Sequence, residues 1–201
     1  MRTPILCLAI LSLAAFSFTR AGDDFEGKDL KSHNFSNKNL TEANFADTTL
    51  SDCNFTSAIL NKASFRDADI KWTSFYLAEM EGADFRGATI TSTLSNCNLS
   101  GANLEGIDFG GTTFDKVNLR KANLRHTTGY KNGAGCNFKG ADIRGANLSG
   151  LQTATSDSGA WDPSSTITPS FKGALYDGKT IFPKGIEPEA AGAVLVEGED
   201  K

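Results

Sequence analysis

The chain has 201 residues, 39% of them hydrophobic and 22% charged, with a formal net charge of −4. That length supports one domain with a substantial core, and a hydrophobic share below the globular norm, with plentiful Gly, Asn and Thr, suits a thin rod better than a sphere. So mild an acidity excludes any argument from charge alone for a nucleic-acid or lipid-surface partner.

Residues 1–21 stand apart. Arg2 gives a positive start, Ile5 to Phe18 is an apolar run, and Thr19-Arg20-Ala21 offers small residues at the two positions a signal peptidase inspects. This reads as a secretory signal peptide cleaved after about Ala21. The run is shorter than the roughly 17–25 residues an uncleaved spanning anchor needs. Cys7 lies inside the run and not at its end, which argues against a lipid-modified cysteine. The expectation is an exported protein, periplasmic or extracellular, with no integral membrane segment after cleavage. The mature chain carries 18 basic and 24 acidic residues, a net charge of −6.

From residue 22 to 150 a five-residue beat takes over. Phe25, Leu30, Phe35, Leu40, Phe45, Leu50 and their successors to Ile90 fall five apart without a miss. The phase slips by one at Leu94, resumes through Leu124, and returns at Phe138, Ile143 and Leu148. Neither a helix of period 3.6 nor a flat strand of period 2 keeps every fifth residue buried, whereas a chain that turns a corner every five residues does. Two positions before the centre the residue is usually small, as at Ala43, Ala63 and Ala83; Cys53, Cys97 and Cys136 share that slot. The residue just before the centre is often Asn or Asp, and the two after it are polar or Gly.

Segments such as Ala83-Asp84-Phe85-Arg86-Gly87 and Ala102-Asn103-Leu104-Glu105-Gly106 resemble the pentapeptide-repeat family over about 23–150. The resemblance implies an all-β fold, a right-handed quadrilateral parallel β-helix of about six coils. Phe alternates with a non-aromatic residue at successive centres up to Ile90. Four units per coil would therefore stack Phe on Phe and aliphatic on aliphatic at a separation of 20.

The beat breaks in four places. Asp23, Lys28, His33 and Lys38 fill the small-residue slots of the first coil, as expected of an open end that is either a solvated cap or an interface. Trp72 and Tyr76 are large aromatics at outward positions. Residues 126–137 are Gly-rich and one residue short of three units, either degraded units with a deletion or a loop thrown off a corner. After residue 150 a turn-rich segment, 151–192, resembles the closing segment of pentapeptide arrays, with one helical turn from Glu189 after Pro188. The tail, 193–201, is expected to be disordered.

No metal-ligand spacing, nucleophile–base pair or phosphate loop stands out, so no catalytic, cofactor or metal site is expected. Five Asn-x-Ser/Thr sequons follow from the repeat itself. Three buried, free thiols are expected in the mature chain. The preferred reading is an exported non-catalytic scaffold that binds a macromolecular partner, foremost a protein, through its faces or ends. The candidate residues are Trp72, Tyr76, His33, Lys28, Lys38 and Tyr130. The alternatives are a module binding carbohydrate or the cell-envelope surface, and self-association through the rod ends. The gyrase-binding DNA mimics that the resemblance brings to mind need an acidic cytoplasmic rod; residues 23–150 carry 16 acids against 14 bases, which disfavours a nucleic-acid-like role.

Overall fold

The computed structural model describes residues 22–151 and 169–197; the proposed leader and residues 152–168 and 198–201 lie outside them. The chain winds as a four-sided parallel β-helix. On one face Asp24, Asn44, Ser64, Asp84, Asn103, Asn123, Asp142 and Leu175 pair in succession, and Val194 follows. Eight strand spacings of about 4.8 Å make a rod on the order of 38 Å long. The longest extended stretches are β1 (Asp69–Ser74), β2 (Thr89–Ser95), β3 (Thr113–Asp115) and β4 (Asn132–Ala134), which form one sheet. Near the C-terminal end β5 (Leu175–Tyr176) pairs in parallel with β6 (Val194–Leu195).

The pentapeptide explains the winding because it accounts for every backbone N–H. In the unit around Phe45, the slot residue Ala43 donates to the preceding centre, Leu40 (3.0 Å), closing a β-turn. Asn44 donates down one coil to Asp23 (2.9 Å), Phe45 up one coil to Ser64 (2.7 Å), and Asp47 up to Arg66 (2.9 Å). The fifth N–H, of Ala46 at the corner, is accepted by the Asn44 side chain at 3.1 Å. That last bond is why Asn or Asp precedes the centre. The second corner residue takes a positive φ, as at Glu42, Asp47 and Lys62 (56–60°), the signature of a type II turn.

The centres fill the lumen. Phe25, Phe45, Phe65 and Phe85 stack at 4.7–5.1 Å, as do Phe35, Phe55 and Phe75 at 4.8–5.1 Å. The two columns meet edge to face, Phe45 against Phe55 at 5.5 Å and 90°. Polar slot residues are satisfied locally. Cys53, Thr73, Ser92 and Thr112 each donate to a centre carbonyl one coil down, from Leu30, Leu50, Ile70 and Ile90 in turn.

The irregular stretch 126–137 stays on the ladder. Thr127 occupies the slot, Tyr130 fills the lumen, and β4 pairs with β3, so these are degraded units with a deletion. The ladder also runs beyond residue 150. Ser170 pairs with Asn137, Leu175 with Asp142 and Ile181 with Asn147, and Phe171 stacks on Phe138 at 5.0 Å. The described part of the closing segment therefore adds a further coil to the six anticipated. Above it a turn at 188–192 ends with Ala193 N–H on the Pro188 carbonyl and Gly192 N–H on that of Glu189, with Gly192 at φ +78°, a Schellman cap. Residues 193–197, expected within a disordered tail, are instead held by β6.

Candidate interaction site

The phase slip at Leu94 has a direct consequence for Trp72. Ile90 to Leu94 spans a corner with one residue fewer than the coil beneath it. Lys71 pairs with Thr91 and Ser74 with Thr93, so Trp72 and Thr73 together face Ser92 alone. This is a β-bulge, which bends the strand and re-aims a side chain. Thr73 points inward at 1% exposure, while Trp72, at φ +52°, projects outward at 71%. A bulky residue in the left-handed region is uncommon. On the same coil Tyr76 (44%) and Leu77 (47%) occupy the next corner, and Ile59 (41%) lies on the adjoining face one coil below. Leu77 too has positive φ, +58°. Between the two corners the face presents only small polar groups, Asn54, Ser74 and Thr93 among them.

The polar slots of the first coil have a structural role. Among the described residues no coil lies below it, and side chains take up its downward-facing carbonyls. Lys28 Nζ donates to the Asp24 carbonyl at 2.7 Å and lies 5.4 Å from the centre of the Phe25 ring. His33 Nδ1 lies 3.2 Å from the Lys31 carbonyl; since that oxygen only accepts, Nδ1 carries the proton in this bond. Lys28 and His33 are exposed and Lys38 half-buried. These contacts cap the edge of the first described coil. Tyr130, a candidate for partner binding, is instead buried. It is 2% exposed, packs against Phe109 (5.1 Å) and Phe114 (5.5 Å), and shares a 2.8 Å hydrogen bond with Thr127, so it is core and not surface.

Cys53, Cys97 and Cys136 are free and buried. Burial pushes the Cys97 and Cys136 thiols up to about 12, far from a reactive thiolate. The hydrogen bond from the Arg86 side chain to Asp84 holds that carboxyl below its ordinary value, in a surface pair with a 2.6 Å contact. Among the described residues no group of three His, Cys, Asp or Glu is placed to hold a metal ion, and no helix is long and apolar enough to cross a membrane.

A family model for pentapeptide repeats matches residues 39–76, 92–128 and 132–151 in eight copies. A pentapeptide repeat protein from the thylakoid lumen of Arabidopsis thaliana is 32% identical over 64% of this chain and 70% of its own, with a TM-score of 0.22. The chain belongs to the pentapeptide-repeat family. Pentapeptide-repeat proteins wind as right-handed quadrilateral β-helices, the fold described above. HetL, a pentapeptide repeat protein involved in heterocyst differentiation regulation in the cyanobacterium Nostoc, is 17% identical over 90% of this chain and 88% of its own, with a TM-score of 0.52; at that identity it shares the fold. QnrB1, a plasmid-mediated fluoroquinolone resistance protein, is 20% identical over 87% and 92%, with a TM-score of 0.31. No curated protein matches the chain.

Proposed function

We propose that this pentapeptide-repeat protein is an exported, non-catalytic interaction scaffold that receives a protein partner on the face bordered by Trp72, Tyr76 and Leu77. The observation that carries the reading is Trp72, a bulged residue of positive φ exposing 71% of its surface. Positive φ is the rule at that corner of the repeat; what sets Trp72 apart is that a large aromatic stands there, at a cost of about 1–2 kcal/mol for left-handed backbone, with most of its surface exposed. Aromatic residues are the commonest binding anchors, and the small polar residues between the corners leave a flat bed for a partner. Export rests on the apolar leader at 1–21, and the thylakoid-lumen relative is compatible with it.

The test is retention of proteins from the envelope fraction of the source cells on the immobilised chain, compared with Trp72→Asn and Tyr76→Ser. A protein held by the wild type and lost from both variants supports the reading; equal retention by all three overturns it. Glycan-array binding that disappears in Trp72→Asn would move the site to the carbohydrate class. Sequencing the exported protein should find Gly22 at its N-terminus.

A further inference from the structure

The face that begins at Asp24 and its two bordering corners carry an axial charge division. On the first two rungs stand Asp24, Glu26, Glu42 and Asp47; on the sixth, seventh and eighth stand Arg120, Lys121, Arg125, Lys139, Arg144 and Lys172 against Asp142 and Asp177, a net excess of base. The corner ladders fix these levels. Glu42 N–H bonds the Asn61 carbonyl, Lys62 that of Glu81, Gly101 that of Arg120 and Lys121 that of Lys139, all on one edge. Gly27 to Ala46, Asp47 to Arg66, Gly106 to Arg125 and His126 to Arg144 run up the other edge. The acidic and basic ends of this face are separated along roughly 34 Å, seven strand spacings. The face with Trp72 carries few charges.

We infer that this face is self-complementary and joins a second copy of the chain side by side and antiparallel. A two-fold axis lying in the interface and perpendicular to the rod reverses the rung order but keeps each edge opposite its own copy. With the axis at the Asp84 rung, the sixth rung meets the second. Arg120 and Lys121 then face Glu42 of the other copy on one edge, and Arg125 faces Asp47 on the other. The seventh rung meets the first, bringing Arg144, held at 2.6 Å by Asp142, opposite Glu26. The fifth meets the third, and Glu105 faces Arg66. On the opposite edge Ser100 and Gly101 leave a groove of about 240 Å³ walled by Glu81, Arg120 and Lys121, and the corner that arrives there is that of Lys62. At the axis rung Glu81, Asp84 and Arg86 meet their own copies, and Asp24 meets Asp142, so the attraction comes from the second and sixth rungs and from Arg144 with Glu26; a parallel pairing would set acid against acid and base against base at those levels. A polyanion would engage the basic end alone and leave the acidic end without a role, so the second copy is the occupant that uses the whole face. The Trp72 surface remains uncovered, so this inference stands independently of the proposed partner site.

Sedimentation equilibrium of the purified chain tests it. At 50 mM salt and about 100 µM protein a dimer is expected; at 1 M salt, where the screening length falls to about 3 Å, a monomer. Arg120→Glu with Lys121→Glu should weaken dimerisation at least tenfold, and adding Glu42→Lys should restore it, because every reversed contact is then reversed on both sides. Trp72→Asn should dimerise like the wild type. A monomer at low salt, dimerisation insensitive to the Arg120/Lys121 reversal, or a triple variant no tighter than the double would each overturn the inference. Capture of the monomeric chain on heparin without self-association would overturn it in favour of a polyanion.

Discussion

At Trp72 two demands conflict, and they make a signed prediction. Asn tolerates the left-handed backbone better than Trp, so Trp72→Asn should raise stability by about 1 kcal/mol, seen as a higher urea midpoint at unchanged slope, while abolishing partner retention. A residue that mattered only for folding would show no such opposition. The buried thiols predict a pH response. Cys97 and Cys136 are pushed up to about 12 in the folded chain against about 8.5 when exposed. Above that lower value the unfolded chain gives up these protons while the folded chain keeps them. Stability should therefore be intact below about pH 8.5 and fall as pH rises toward 12, by up to about 1.4 kcal/mol per unit for each thiol. Urea midpoints from pH 8 to 11 should fall more gently for Cys97→Ala/Cys136→Ala. Of the exposed apolar residues, Trp72 and Tyr76 were legible from their outward positions. Leu77 and Ile59 were not singled out, although Ile59 stands in a column otherwise filled by Asn39, Glu79 and Asn98, and that mismatch was the available signal.

Among the repeating units, the cost of a change depends on its column. Phe65 stacks on Phe45 at 5.1 Å and on Phe85 at 4.7 Å, so Phe65→Ala should cost about 3–5 kcal/mol. Phe25, half-buried and among the described residues stacked on Phe45 alone, should cost distinctly less; chemical denaturation of the two variants compares them. Gly150 lies so close to the Tyr130 carbonyl that an added Cβ would fall within 1.9 Å of it. Gly150→Ala should destabilise by about 1–3 kcal/mol, visible as a lowered melting temperature. The square coil, its ladders and its small-residue slots were readable because one pentapeptide satisfies its own backbone and repeats. The fate of 126–137 was not, because Gly129 sits where the beat asks for a centre and Tyr130, one residue on, takes the lumen instead. The coil formed by 170–181 was hidden as well, since residues 152–168 separate it from the repeats to which it pairs.

For the whole rod, each coil touches only the coils above and below, so stability is a sum of neighbour terms and the ends are weakest. Amide exchange should be slowest around Leu60 and Met80 and faster at Leu30, and Lys28→Ala with His33→Ala should widen that difference by freeing two edge carbonyls. Equal protection from first coil to last would contradict the capped-edge description. The surface divides across the same cross-section. One face is charged and divided along the axis, another is nearly neutral and carries the exposed aromatics, so the rod has room to meet two different neighbours at once.

Ser170, Leu175 and Ile181 pair with Asn137, Asp142 and Asn147 although residues 152–168 stand between the two stretches in the sequence. A protease acting there would sever the chain without severing the rod. The C-terminal fragment would stay clasped through its pairings at Asn137, Asp142 and Asn147 and through the Phe138–Phe171 stack. Two bands on a denaturing gel would then correspond to one particle in solution, and the upper coil would become a lid that is exchangeable between molecules.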